Sequence, residues 1–164
     1  GKEASGTGNM KFMMNGALTF GTYDGANVEI VQEAKEENNF IIGLRVEDIE
    51  QIDGKYNSKE YYEADLSLKT VVDALVDGTF CDGGTGEFQD LYNSLVNEGD
   101  TYFLLADFVA FKEAEDKVFA AYKDQKHWAQ MSLMNIANSG IFSSDRTIMQ
   151  YANEIWGITP KTVK

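Results

Sequence analysis

Cysteine and histidine are almost missing from this chain: Cys81 and His127 are the single representatives of their kinds. One cysteine rules out an internal disulfide and fits a reducing, cytoplasmic setting. One histidine, beside Trp128 and without a second imidazole, argues against a metal site, and a structural or surface role is expected for it. Cys81, set among glycines, reads as an ordinary free thiol. Basic residues are also scarce, 14 Lys and Arg against 27 Asp and Glu, for a net charge of −13. Nucleic acid and anionic membranes need clustered cations, so neither is an expected partner. The acidic runs "KEENN", "VEDIE" and "KEAEDK" read as solvated helix faces. No apolar run reaches membrane-spanning length, and no signal-peptide pattern is seen. Internal repeats and low-complexity segments are absent as well.

What is present is a globular composition. Of 164 residues, 43% are hydrophobic and 12% aromatic, enough for one domain with a real core. "TGNMKFMMNGA" reads as a short helix that Ser5 or Thr7 caps and Gly16 ends. "ALTFGT" (17–22) and "FIIGL" (40–44) read as short strands around a helix over 24–38, capped by Asp24, with Ala26, Ile30, Val31 and Ala34 on one side. That is one βαβ unit. Helices follow, with no further strand. "VEDIEQI" and "NSKEYYEAD" are short ones, the second opening on an Asn57/Glu60 capping-box pattern. Leu68, Val71, Val72, Leu75 and Val76, then Phe88, Leu91, Tyr92, Leu95 and Val96, give two amphipathic helices around a glycine-rich loop. Residues 107–123 form a longer helix with Phe108, Phe111, Val118, Phe119 and Tyr122 inward, and 127–138 another. The last, 143–156, starts on capping serines and carries an apolar stripe of Ile148, Tyr151, Ala152, Ile155 and Trp156.

The densest chemistry lies in "EASGTGNMKF". Glycines let a backbone approach a ligand closely. A helix start directly after them offers unpaired N–H groups and the positive dipole end, which favour phosphate or another anion. Lys11 follows Thr7 by one turn on the same face, about 5.4 Å along the axis. Burial among Met10, Phe12, Met13 and Met14 would lower its pKa and make the amine nucleophilic toward an aldehyde, whereas the plainer alternative is a helix N-terminus with a solvent-facing lysine. The stretch is not a P-loop, because Met10 and Phe12 flank the lysine. It is not a dinucleotide fingerprint either, since Lys11 stands where the third glycine belongs. These residues alone leave three readings open: a covalent cofactor site, a non-catalytic site for a phosphate ester, or an acidic helical interaction module in which Lys11 is merely structural.

The sequence resembles the α-glucan phosphorylases. Glu3, Ala4, Ser5, Gly6, Gly8, Met10, Lys11, Met14 and Asn15 fit that family's pyridoxal-phosphate attachment signature. The likeness continues through "NGALTFGTYDGANVEI", "RVEDIE", "YYEADLSLKTVVD", "FSSDRTI" and "YANEIW", is weakest around "DGTFCDGGTGEFQD", and in wording leans toward bacterial members. The resemblance implies that Lys11 carries pyridoxal 5′-phosphate as a Schiff base. It implies that Thr7 and Gly8 hold the 5′-phosphate, and that Glu3, Ala4, Ser5 and Gly6 bind glucose hydroxyls. It implies reversible phosphorolysis of α-1,4-glucan by inorganic phosphate to glucose 1-phosphate, in a cytoplasmic, homodimeric parent. The implied fold is α/β: residues 1–164 are part of the C-terminal, cofactor-binding domain of a two-domain, glycosyltransferase-B-type protein, a Rossmann-like βαβ remnant followed by a mostly helical region. Gly1 in place of an initiator Met agrees with a piece of a longer chain. Such a piece is expected to be inactive alone, because the family's substrate-phosphate cations precede Glu3.

Overall fold

A computed structural model describes residues 6–80, 86–159 and 161. Ser5 and Cys81 lie outside the described residues. In chain order the elements are α1 (Thr7–Met14), β1 (Phe20–Thr22), α2 (Ala26–Ala34), β2 (Phe40–Ile42), α3 (Val46–Ile52), α4 (Ser58–Ala64), α5 (Leu66–Asp73), α6 (Gln89–Tyr92), α7 (Leu104–Lys123), α8 (Gln125–Ala137) and α9 (Ser144–Gln150). α6 widens into a π-turn over Asn93–Asn97, and α9 does so over Tyr151–Trp156. Short 3₁₀ turns occupy Glu36–Asn38 and Ser139–Phe142. The fold is mixed α/β and mostly helical, and among the described residues β1 and β2 form one two-stranded parallel sheet. The chain divides into two compact units, residues 1–41 with 118–164, and residues 42–117.

The first unit is built on α1 and α2. Ala26, Ile30, Val31 and Ala34 recur on one side of α2 and are all buried, as the helical period requires. Ile30 and Ala34 pack with Met13 of α1, and Phe142 covers them. Fully burying a side chain the size of Ile30 or Met13 contributes about 1.5–3 kcal/mol. α8 joins the unit through Ser132, whose hydroxyl donates to the Gly16 carbonyl at 2.7 Å. Gly16 (φ 82°) must be glycine there, because a Cβ would fall 2.4 Å from Ser132 Oγ. Asn135, fully buried, donates to the carbonyls of Asn38 and Met131 at 2.8 and 3.0 Å. Phe40 stacks on Trp128, and Tyr122 meets the same indole edge-on.

The second unit is helical. Its core is Tyr62, Leu68, Val72, Val96 and Leu105, with Tyr92, Leu95 and Phe108 against it. Polar groups pin its turns. Asp65 caps α5, accepting from the Ser67 and Leu68 amides, and the Leu68 bond foremost holds its carboxyl below the usual range. Asp100, buried at φ 46°, accepts from the Tyr56 hydroxyl (2.7 Å) and the Leu105 amide (2.8 Å). Burial first, and then that bond to Asp100, push the Tyr56 hydroxyl far above its ordinary pKa. Tyr62 donates to Asp73 and accepts from Lys69, which also bridges to Asp73 at 3.5 Å.

Several elements differ from their sequence-based outlines. The stretch 17–22 is a strand only from Phe20, because the Ala17 amide is still bound to the Phe12 carbonyl of α1. Gly43 (φ 73°) leaves the extended region and stops β2 at Ile42. α2 ends at Ala34 because Lys35 takes φ 72°. Asp24 does not cap it: Gly25 holds the cap position, and the Asp24 carboxylate accepts from Thr22 Oγ1 at 2.8 Å. Asn57 does cap α4, but its side chain also donates to Glu60, so the reciprocal box is incomplete. α7 starts at Leu104 and buries Leu105 and Ala114, leaving Phe111, Phe119 and Tyr122 exposed. In α8 it is Met131 and Asn135 that are buried, while Met134 is exposed. Ser143 stands at the cap of α9 without a side-chain capping bond. Of the α9 stripe only Ala152 is buried, since the π-turn from Tyr151 shifts the register.

Candidate functional site

The site begins at Gly6. This residue is buried with φ 61°, and a Cβ on it would lie 2.3 Å from Ala26 Cβ. Glycine is therefore needed on two counts, conformation and space. The cap position of α1 is held by Gly6 and not by Thr7, which is the helix's first residue; Ser5, the other expected cap, lies outside the described residues. The positive dipole end of α1 suits an anion. Among the described residues no atom lies within 4 Å of where a Gly8 Cβ would be, which leaves room for a ligand at this backbone. Thr7 and Gly8 are exposed, and so is Lys11, one turn further along. The Lys11 carbonyl accepts from Asn15 Nδ2 at 2.8 Å, which ties off the end of the helix.

Lys11 faces solvent, the plainer of the two alternatives, and is not buried among its apolar neighbours. Met13 is 1% exposed and Met10 half-buried, but Phe12 and Met14 are 67% and 44% exposed. The cause is helical geometry: Lys11 and Met13 are two residues apart, about 200° around the axis. Burying Met13 in the core turns Lys11 outward. Glu3, Ala4 and Ser5 lie outside the described residues, so Gly6, Thr7, Gly8 and Lys11 are the candidate residues that the structure brings together. Among the described residues no group of three or more His, Cys, Asp or Glu is arranged to hold a metal. His127 is exposed at the start of α8, where its amide donates to Asp124 Oδ1. Arg146 donates to Gln150 Oε1 and to the Ile141 carbonyl.

Two residues near the site escape a reading of motifs. Asn9 Nδ2 donates to Asn27 Oδ1 at 2.8 Å, and Asn27 Nδ2 donates to the Thr22 carbonyl at 2.9 Å. Asn27 follows "DGA", which reads only as a turn with a cap. Its burial at a helix start was the available signal, since a buried amide must find partners.

Fold and site together define a mixed α/β protein that presents a glycine-flanked helix start and an exposed lysine a turn beyond it. The chain belongs to the carbohydrate phosphorylase family, whose model matches residues 1–158. It is 52% identical to the muscle form of glycogen phosphorylase from Ovis aries, over 98% of this chain and 19% of that protein. To the Homo sapiens muscle form it is 51% identical, with the same coverage. To glycogen phosphorylase from Bacillus subtilis it is 47% identical, over 97% of this chain and 20% of that protein. The bacterial leaning expected from the wording does not appear in these identities. The chain spans about a fifth of the length of these relatives.

Proposed function

We propose that this chain is the C-terminal part of a glycogen phosphorylase that binds pyridoxal 5′-phosphate at Lys11. The observation that carries the reading is the arrangement of Gly6, Thr7, Gly8 and Lys11 on one helix start within a phosphorylase-family chain. The residues fit the group: the open space at Gly8 admits a phosphate to backbone N–H groups, and the lysine is accessible. When bound, the cofactor supplies a 5′-phosphate that exchanges a proton with substrate phosphate. Lys11 retains the cofactor, Thr7 and Gly8 hold its phosphate, and Gly6 with Glu3, Ala4 and Ser5 binds the glucose hydroxyls. A carboxylate and a run of backbone N–H groups suit a polyhydroxy ligand, since each hydroxyl both donates and accepts. The substrates of the whole enzyme on this reading are α-1,4-glucan and inorganic phosphate, with glucose 1-phosphate as product. Its fold is of the glycosyltransferase-B type, and residues 1–164 are part of its second domain. A cytoplasmic location and a homodimeric parent belong to the same proposal.

Borohydride treatment of the full-length holoenzyme, followed by peptide mapping, tests this. The expected result is a permanent adduct on Lys11. An adduct on another lysine overturns the assignment. Saturable binding of a phosphate ester with no adduct supports a non-catalytic site instead, a reading favoured by the exposure of Lys11.

A further inference from the structure

A surface helix keeps polar residues on the side away from the core. α8 does not. Met131 and Asn135, four residues apart, are its buried positions, 3% and 0% exposed. From Trp128 onward its exposed positions are Ala129, Gln130, Leu133, Met134, Ile136 and Ala137, and five of these six are apolar. Leu133 is 63% exposed and Ile136 43%. At about 100° per residue, Ala129, Leu133 and Ile136 fall within roughly 40° of the direction opposite Met131. The remaining polar groups of this stretch are spent inward: Ser132 donates to the Gly16 carbonyl, and Asn135 to those of Asn38 and Met131. A helix apolar on both sides has the pattern of one that is covered on both.

The outward face reaches the candidate site. A Cβ on Gly16, at the end of α1, would come within 3.0 Å of Ile136 Cδ1. α1 itself leaves Phe12, beside Lys11, 67% exposed. From Trp128 to Ala137 the sequence holds no charged residue, so the face suits an apolar occupant. A second copy of the chain fits poorly. A stable complex of separate chains takes roughly 20–30 residues a side, and it must offset lost translational and rotational freedom. One helical face falls far short of that. A segment of the same polypeptide is already tethered, so a small apolar face is enough to hold it. The chain spans about a fifth of the length of its relatives, which leaves ample polypeptide to supply such a segment.

We propose that the outward face of α8, centred on Leu133 and Ile136, is an intramolecular docking surface for an apolar segment of the polypeptide that precedes Gly1 in the longer protein. Seated there, the segment adjoins the end of the helix that bears Lys11. This rests on the reading that the chain is the C-terminal part of a phosphorylase. The experiment uses the full-length protein with Leu133→Cys, Ile136→Cys and, as an exposed reference in the same unit, Glu37→Cys. Each is treated with a maleimide and the labelled peptides are mapped. Leu133→Cys and Ile136→Cys are expected to label at least about tenfold more slowly than the reference, since a docked face reacts only when it opens. That protection is expected to persist on dilution. Hydroxyl-radical footprinting of the unsubstituted protein repeats the comparison at Leu133 and Ile136, with the same protection expected. Labelling of either variant as fast as the reference overturns the proposal. Protection that disappears on dilution also overturns it, because a second copy is then the occupant. Mass spectrometry of the protein from its source separates the two failures. A mature chain with nothing before Gly1 overturns the C-terminal reading and the proposal with it, whereas fast labelling in a longer chain overturns the proposal alone.

Discussion

Gly6 joins two demands in one residue, a left-handed backbone and contact with Ala26. Gly6→Ala is expected to destabilise the protein by about 1–3 kcal/mol from conformation alone, before the overlap is relieved. Urea unfolding checks this, and Gly8→Ala, with open space around it, serves as the mild control. Asp107 makes a second prediction at this scale. Its carboxylate lies against Gly43 and accepts from the Leu44 amide at 2.8 Å, while burial, with Asp100 adding to it, raises its pKa. A raised carboxyl binds its proton more readily folded than unfolded. Its favourable contribution is therefore complete below the ordinary carboxylate range and is lost as pH rises through the folded value. Asp107→Asn keeps an acceptor for Leu44 without the charge. It should flatten that part of the stability profile and leave stability at neutral pH equal or higher. A lower neutral-pH stability in chemical denaturation would contradict this account.

Among the elements, α1 and α2 depend on each other. Ile30 is fully buried against Met13, so Ile30→Ala is expected to cost 2–5 kcal/mol, roughly the range for emptying such a site. Hydrogen exchange should show α1, with Gly8 in its first turn, opening more readily than α5, whose start Asp65 caps. These elements were legible to different degrees. α2's buried stripe and the whole of α3 follow from spacing and composition, because a one-sided apolar period leaves little choice. Strand lengths and helix ends were not legible, since they turn on single dihedrals such as those of Lys35 and Gly43. Apolar spacing also marked Phe119 and Ile155 as inward, yet both are exposed. Periodicity shows that one face is apolar; it does not say what covers that face. The grouping of Gly6, Thr7, Gly8 and Lys11 was readable from order alone, but the exposure of Lys11 required knowing that Met13 faces the core.

At the scale of the molecule, the chain spans about a fifth of its relatives' length. On the proposed function it carries half of a cofactor site. Incubated alone with glucan and inorganic phosphate, it is expected to yield no glucose 1-phosphate in a coupled assay, and measurable turnover would refute that. The division into units has a consequence for biosynthesis. Residues 1–41 belong with residues 118–164, and Ser132 reaches Gly16 across 116 positions of sequence. A ribosome releases the opening helix long before α8 exists. Until translation has passed Ser132, that helix lacks one of its neighbours, and closing so long a loop is slow. A stall just upstream of α8 would leave the lysine-bearing segment without the Ser132 contact.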